Sequence, residues 1–296
     1  MVVKNAAPLL VLAAGTLWGL MGIFVRTLAS FGFTSLEIAG LRIFFGALLF
    51  AAITAAARPG QLKIRLHDVG LFAGMGLLSL LLFTVCYFSV IRMASLSVAA
   101  VLLYTSPVWV MLMSLLCFHE PMTRRKVLAA AMAVGGCVLV SGLGSAEQIS
   151  LPVLATGLLS AAGYGLYSIF GTFALRSYPP LTVTTWAFLF GAAGALLVCS
   201  PVHAVQVVSA AEHPVGLVLL VVVTAFVTAV LPYLLYTVGL SRMRASTAAI
   251  MASIEPVVAT IAGAVVFGEG LTLPALAGIL LVLGAIMVLN RGGRTV

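Results

Sequence analysis

Ten nearly uncharged apolar stretches follow one another along the chain, and each is long enough to cross a bilayer as an α-helix. About 20 residues suffice, because a helix rises 1.5 Å per residue and the hydrocarbon core is about 30 Å thick. The stretches lack period-two alternation, which favours helices over barrel strands. In chain order, spans 1 to 10 are residues 8–28, 35–56, 69–90, 95–117, 127–143, 151–175, 181–200, 215–239, 246–267 and 272–290.

The composition supports lipid as the main solvent. Apolar residues make up 63% of the 296 residues and charged residues 7%, whereas a soluble domain carries about 25% charged residues. The sequence therefore predicts an all-α membrane protein whose ten transmembrane helices form a single domain over residues 1–296. Its short connections leave no room for a soluble catalytic or nucleic-acid-binding domain.

The basic residues predict the orientation of the spans. Only Arg26 and Arg92 fall at one set of span ends, and Arg42 lies inside span 2. By the positive-inside rule, the other set faces the cytoplasm, together with both termini, in a bacterial-type inner (plasma) membrane. Because topology explains the net charge of +8, we expect no nucleic-acid partner. The cytoplasmic set is Lys4, Arg58, Lys63, Arg65, Arg124, Arg125, Lys126, Arg176, Arg242, Arg244, Arg291 and Arg294.

The sequence also repeats itself. An offset of 149 residues aligns similar residues in the two halves, and an offset of 146 aligns Trp18-Gly19 with Tyr164-Gly165. We therefore predict two five-helix repeats, 8–143 and 151–290. Five crossings invert the second repeat, an architecture that secondary transporters use for alternating access, with a substrate site near the midplane. The pairs at offset 149 include Tyr87 with Tyr236, Ser97 with Ser246, Pro107 with Pro256, Glu120 with Glu269 and Gly135 with Gly284.

Several of these motifs resemble the EamA family of the drug/metabolite transporter superfamily. They are the paired Trp/Tyr-Gly steps, Ser106-Pro107, Glu255-Pro256 and Gly268-Glu269. The resemblance covers essentially the whole chain. It implies a carrier that moves small metabolites, often amino acids outward, without binding or hydrolysing ATP. Members of the family differ widely in substrate, so the resemblance does not select one.

Glu255 lies inside span 9 and is followed by a helix-breaking proline. An ionised carboxylate at that depth is costly unless it is paired or hydrated. One interpretation is a proton-binding or substrate-binding group in a wet cavity; the other is a protonated glutamate that bonds to a neighbouring helix. Pro107 and Pro256 interrupt spans 4 and 9 at matching places, either as hinges or as passive kinks.

Arg42 is the second charge that the membrane topology leaves unexplained. It lies five residues after Glu37, a spacing that is poor for pairing on a helix. Arg42 can instead extend toward the membrane surface, pair with Glu255, or bind a substrate carboxylate. If Arg42 and Glu255 face one cavity, their opposite charges suit a zwitterion such as an amino acid.

Aromatic and polar residues near the span centres complete the predicted site. We expect Trp18, Tyr164, Tyr104 and Ser106 to contribute to a substrate cavity among spans 1, 3, 4, 6, 8 and 9. Tyr87 and Tyr236 lie nearer span ends, where an interfacial aromatic belt is also expected. Glu120 and Glu269 end spans 4 and 9, either as gate residues or as solvated boundary charges.

Other chemistry lacks a motif. The sequence has no phosphate-binding loop, H-E-x-x-H or G-x-S-x-G, and its cysteines and histidines are scattered, so we expect no enzyme, metal or cofactor. The sequence predicts a secondary transporter that exports a small metabolite, with amino acids as the leading class. A multidrug or other metabolite carrier, an integral-membrane enzyme and a non-transporting receptor stay as alternatives. The expected partners are a small-molecule substrate and the lipid bilayer, and protons and a homodimer stay open.

Overall fold

A computed structural model describes residues 6–142, 149–199 and 201–290, and within these ranges it contains helices and no strand. It confirms the prediction of an all-α membrane protein. The predicted ends of spans 5 and 7, residues 143 and 200, lie outside the described residues, as do Lys4, Arg291 and Arg294.

The first half of the chain contains helices α1 to α8. Short 3₁₀ helices cover Pro59–Leu62 and Leu66–Asp68, and a π-helical segment, Met75–Leu81, joins α4 to α5. The α-helices are α1 (Ala7–Gly19), α2 (Met21–Ser30), α3 (Ser35–Ala57), α4 (Val69–Gly74), α5 (Leu82–Met93), α6 (Leu96–Leu103), α7 (Ser106–Phe118) and α8 (Arg124–Val140).

The second half contains helices α9 to α16. A second π-helical segment, Phe226–Val230, joins α12 to α13. The α-helices are α9 (Leu151–Ala174), α10 (Pro180–Val198), α11 (Pro201–Ala210), α12 (Pro214–Ala225), α13 (Leu231–Leu240), α14 (Ala245–Ala252), α15 (Ile254–Phe267) and α16 (Leu273–Asn290).

Each predicted span coincides with a helix or with consecutive helices. Eight helical stretches in the described part of the chain are long and apolar enough to cross a membrane, and they match spans 1 to 4 and 6 to 9. Spans 5 and 10 correspond to α8, of 17 residues, and to α16, which is apolar over Leu273–Leu289. Ten crossings therefore stay a prediction, because these two helices are shorter.

Helix α11 was not predicted. It begins with a proline, a residue suited to the first helical position because its missing N–H has no intrahelical partner there. Ala204 of α11 packs against Leu28 and Phe33, in a small apolar cluster with α12. The connection between spans 7 and 8 is thus a helix that covers one end of spans 1 and 2.

Two spans are interrupted just before the prolines that the sequence highlights. Span 4 leaves the α-helix at Tyr104 and Thr105, before Pro107, and span 9 leaves it at Ser253, before Pro256. Proline lacks the amide that would continue the helical hydrogen bonds, and its ring crowds the preceding turn. Because 104 and 253 differ by the repeat offset of 149, the two interruptions occupy matching places.

The spans pack in pairs that respect the predicted repeat. Span 2 packs on span 7, span 5 on span 10 and span 4 on span 9, while span 1 packs on span 8 and span 3 on span 6. Exchanging each span for its counterpart in the other half leaves this set of pairs unchanged. We call the end with the connections 57–66, 118–124, 174–180 and 240–245 the inner end, since charge predicts it to be cytoplasmic.

Glycines allow α8 and α16 to approach closely. A Cβ added to Gly136 would lie 2.7 Å from the Gly278 carbonyl oxygen, and one added to Gly278 would lie 2.5 Å from the Gly136 oxygen. Both distances are shorter than van der Waals contact with rigid backbone. Gly135, the neighbouring residue, has open space at its Cβ position.

Replacing Gly136 with alanine is expected to destabilise the protein by about 1–3 kcal/mol, because overpacking forces the two helices apart. Gly135→Ala is the matched control, and it is expected to be neutral or to stabilise by up to about 1 kcal/mol through helix propensity. The thermal unfolding midpoints of the detergent-purified variants measure the difference. Equal midpoints for the two variants would contradict the close α8–α16 contact.

Candidate functional site

A cavity of about 90 Å³ lies at the centre of the bundle, and both charges singled out from the sequence line it. Arg42 reaches it from α3 and Glu255 from α15, and both side chains are half-buried. Most of the remaining wall is aromatic. The lining residues are Trp18, Met21, Ala39, Arg42, Ile43, Leu80, Phe83, Thr84, Tyr87, Phe88, Leu103, Tyr104, Tyr164, Phe188, Ala229, Tyr233 and Glu255.

Arg42 is held by a single residue of span 8. Its Nε donates to the Thr228 hydroxyl at 2.7 Å, and its Nη2 donates to the Thr228 carbonyl at 2.8 Å. Thr228 lies in the second π-helical segment, and the residue four positions later, Pro232, has no amide to donate to that carbonyl. The guanidinium supplies a donor in its place and keeps N–H groups for other partners.

Glu255 lies in the first turn of α15, directly after the interruption at Ser253. The exposed amides at a helix N-terminus favour a negative charge. The Tyr164 hydroxyl donates to Glu255 Oε2 over 3.4 Å, a long hydrogen bond. Within the described residues, no ion pair joins Glu255 to Arg42. A guanidinium and a carboxyl group thus face the same space without a direct contact.

The aromatic wall is built around Trp18. Its ring lies 5.1 Å from that of Tyr233, 5.5 Å from that of Tyr236 and 6.4 Å from that of Tyr164, in edge-to-face or tilted arrangements. Tyr236 is buried and bonds to the Ser168 hydroxyl at 2.7 Å, and Tyr87 lines the cavity. The interfacial-belt interpretation of Tyr87 and Tyr236 is therefore wrong, because both side chains turn into the bundle.

A smaller cavity of about 20 Å³ adjoins the first and shares Trp18, Tyr164 and Tyr233 with it. Ser106 lines this smaller cavity, together with Ser79 and Ser168. The structure therefore brings Arg42, Glu255, Trp18, Tyr164 and Tyr104 around one space and places Ser106 in the adjoining one. Pro107 and Pro256 are buried at the two helix interruptions and line neither cavity.

The central cavity differs from the prediction in the spans that form it. Spans 2 and 7 contribute Arg42 and Phe188, in addition to the six spans that the sequence predicts. Thr228, which fixes Arg42, was also missed. Its sequence signal is the proline four residues later, which marks a carbonyl without its usual helical donor.

A larger cavity, of about 320 Å³, lies between α3, α10, α11 and α12 near the outer end. Apolar side chains form nearly all of its wall. Its one acidic residue, Glu37, already accepts from the Thr34 amide at 2.8 Å and bonds to His203 at 2.7 Å. With its carboxylate engaged in this way, the cavity presents no charged group to a polar solute.

Hydrogen bonds between the two halves of the chain join elements at the inner end. Tyr178 donates to the Asp68 carboxylate at 2.5 Å, and this hydrogen bond raises the pKa of the Tyr178 phenol. Thr182 donates to the Gln61 carbonyl at 2.8 Å, and Trp186 donates to the Leu62 carbonyl at 3.1 Å. These three hydrogen bonds connect residues 61–68 of the first half to residues 178–186 of the second half.

Comparison with known proteins gives a match to a family model and matches to individual transporters. A model of the EamA-like transporter family matches residues 5–142 and again residues 151–291. The chain is 27% identical over 285 residues to an uncharacterized transporter of Archaeoglobus fulgidus, with 95% of each chain covered. It is also 28% identical over 267 residues to the threonine/homoserine exporter RhtA of Escherichia coli K12, covering 86% of this chain and 80% of RhtA.

A solved crystal structure shares the fold. It superimposes with a TM-score of 0.80 over 98% of both chains, at 18% sequence identity. At that identity the likeness concerns the fold alone. The resemblance to the EamA family noted in the sequence is confirmed by the family model over both halves of the chain.

Replacing Thr228 with valine is expected to destabilise the protein by about 1.5–3 kcal/mol, because a buried hydrogen bond to a charged group is lost. Thr224→Val is a closely matched control one turn earlier on the same span. The Thr224 hydroxyl is buried without a hydrogen-bond partner in the described structure, so its loss is expected to be neutral or stabilising. Thermal unfolding in detergent compares the two variants, and equal midpoints would argue against the Arg42–Thr228 bonds.

Proposed function

Because the chain belongs to the EamA-like transporter family, we propose that it is a secondary transporter that exports small amino acids by alternating access. It acts in the inner (plasma) membrane with both termini in the cytoplasm. Its two halves are inverted five-helix repeats that move relative to each other around the central cavity. The matching interruptions, the symmetric pairs of packed spans and the separate family match of each half support this architecture.

The observation that carries the proposal is the placement of Arg42 and Glu255 on one cavity without a direct ion pair. An α-amino acid presents a carboxylate and an ammonium a short distance apart. Arg42 has N–H groups beyond those bound to Thr228 and would bind the carboxylate. Glu255 would bind the ammonium. Each buried charge would then have a partner while the solute is bound, which lowers the cost of desolvating all four groups.

The size of the site favours a small solute. One water-sized sphere needs about 10–15 Å³, so the central cavity holds roughly six to nine such spheres. A small amino acid has a comparable number of non-hydrogen atoms. The relative RhtA is named a threonine/homoserine exporter, which agrees with this size class. The aromatic rings of Trp18, Tyr104 and Tyr164 would pack against the carbon atoms of the solute.

Glu255 would also couple transport to protons. A single carboxylate can bind a proton or the substrate ammonium, but not both at once. If the site exchanges one for the other as the halves alternate, each amino acid that leaves is matched by a proton that enters. Pro107 and Pro256 would act as hinges in this motion, since the interrupted helices beside them lack continuous backbone hydrogen bonding.

The direct test is flux of labelled amino acids in proteoliposomes that contain the purified protein. A panel that includes threonine, homoserine, larger amino acids and hydrophobic drugs assigns the substrate class. Saturable flux of a small amino acid supports the proposal. Flux of drugs alone would indicate a multidrug carrier, and the absence of flux for every solute would reject the transporter assignment for this chain.

Replacing Glu255 with glutamine is expected to lower amino-acid flux by roughly tenfold or more, because the bond between opposite charges is lost. The variant should also lose the dependence of flux on the proton gradient. Glu212→Gln, an identical charge change at an exposed position, is the control and should retain wild-type flux. Wild-type flux of Glu255→Gln at every pH would refute the assigned role of Glu255.

Replacing Arg42 with glutamine is expected to weaken selection for the substrate carboxylate. In the wild type, an amino acid should compete for transport much better than the amine that lacks its carboxylate. In Arg42→Gln this preference should fall by roughly tenfold, the value of a charge-assisted hydrogen bond. Arg92→Gln, at an exposed span end, controls for the loss of positive charge. An unchanged preference in Arg42→Gln would remove Arg42 from the site.

A further inference from the structure

A second buried charge cluster lies at the inner end, away from the central cavity. The Lys126 ammonium is 3.1 Å from Glu120 Oε2 and donates to the Ser246 hydroxyl at 2.7 Å, and Ser246 donates to Glu120 at 2.5 Å. The side chains of Lys126 and Glu120 are only 8% and 10% exposed. Of the two predicted alternatives for Glu120, the solvated boundary charge is therefore wrong.

The cluster joins the two halves of the molecule. Glu120 follows α7 and Lys126 lies in the first turn of α8, whereas Ser246 belongs to the first turn of α14. Helix α14 has no side-chain cap from its own N-cap residue, Arg244. Glu120 Oε1 instead accepts from the amide of Ala245 at 3.2 Å. A residue of the first half thus caps a helix of the second half, where a carboxylate also suits the helix dipole.

The same local backbone recurs at the outer end, around Glu269. His119 and Gly268 both end their helices in the left-handed conformation, with φ of 54° and 68°. The amide of Glu120 donates to the Ser114 carbonyl at 3.2 Å, and that of Glu269 donates to the Gly263 carbonyl at 3.3 Å. Each outer residue is 149 positions after its inner counterpart. The two glutamates are therefore presented by the same helix-ending motif.

Their carboxylates nevertheless have different partners. Glu269 pairs at 2.7 Å with Arg26 of α2, and both side chains are about half exposed. The position matching Ser246 is Ser97 in α6, and the position matching Lys126 is Ala275. Ser95 already accepts from the Val98 amide at the start of α6. The outer end thus has the glutamate and the serine but neither the lysine nor an uncapped helix.

We infer that Glu120, Lys126 and Ser246 form a latch that holds the inner end closed, and that Glu269 binds the start of α6 when the halves exchange conformations. Because the outer counterpart has no lysine, the conformation with a closed inner end is the more stable one without solute. This inference rests on the proposed alternating-access transport. The Glu120–Lys126 pair is the one ion pair in the described structure with both side chains buried. The central site does not use this pair, and the latch gives it a role.

The latch is tested by hydrogen exchange of the detergent-purified protein without solute. Glu120→Gln leaves Lys126 buried beside a neutral amide, an arrangement that buried charges do not tolerate. Exchange of the amides of Ala245–Ala252 should then be at least tenfold faster than in the wild type, with Leu96–Leu103 unchanged or slower. Glu269→Gln, the matched change at the outer end, should leave Ala245–Ala252 protected as in the wild type.

Two further variants keep the test decisive if Glu120→Gln folds poorly. Ser246→Ala removes one hydroxyl and should give a smaller increase in exchange. Glu120→Gln combined with Lys126→Met removes both charges and should return exchange toward the wild-type rate. Wild-type protection in Glu120→Gln, or equal loss of protection in Glu120→Gln and Glu269→Gln, would overturn the latch.

The outcome is independent of substrate. Absence of amino-acid flux by the wild type would reject the proposed function. The hydrogen-exchange result would still report on the stability of the inner end. Amino-acid flux by the wild type together with normal exchange in every latch variant would overturn the latch alone.

Discussion

The bonds from Arg42 to Thr228 hold a charge and a backbone carbonyl at a depth where lipid offers a partner to neither. A guanidinium in hydrocarbon is costly, and so is a carbonyl whose helical donor has been replaced by Pro232. Each group satisfies the other, and the result is a fixed cation on the wall of the central cavity. Glu255 and the aromatic side chains line the same cavity as this cation, so the chemistry of the cavity depends on the interrupted helical hydrogen bonding in span 8.

Much of this architecture could be predicted from the sequence, because the depth of a residue in the membrane follows from its distance along the chain to the end of its span. Span positions follow from apolar length, and the depths of Arg42 and Glu255 follow from their distance to the span ends. The interruptions at Tyr104 and Ser253 follow from Pro107 and Pro256. The predicted site residues consequently meet around two adjoining cavities, although their roles in transport stay proposals.

The rotation of each helix about its axis could not be predicted in the same way. When every face of a helix is apolar, the sequence contains little periodicity to distinguish lipid from protein neighbours. The sequence therefore allows Tyr87 and Tyr236 to lie at a membrane interface, and Glu120 to lie in water. The burial of Tyr236 and Glu120 depends on partners such as Ser168 and Ser246, which are distant from them in sequence. Helix α11 is hard to predict for a related reason, because Ala204 is its one buried residue and apolar side chains such as Val202 and Val205 are exposed.

The two π-helical segments allow parts of the cavity wall to change separately during evolution. A π-helical turn holds one more residue than an α-helical turn, so the side chains before and after it are rotated relative to each other by about 100°. Met75–Leu81 and Phe226–Val230 thus separate spans 3 and 8 into parts with independent angular register. Single-residue insertions or deletions there can redirect one part toward new neighbours while the other part keeps its packing.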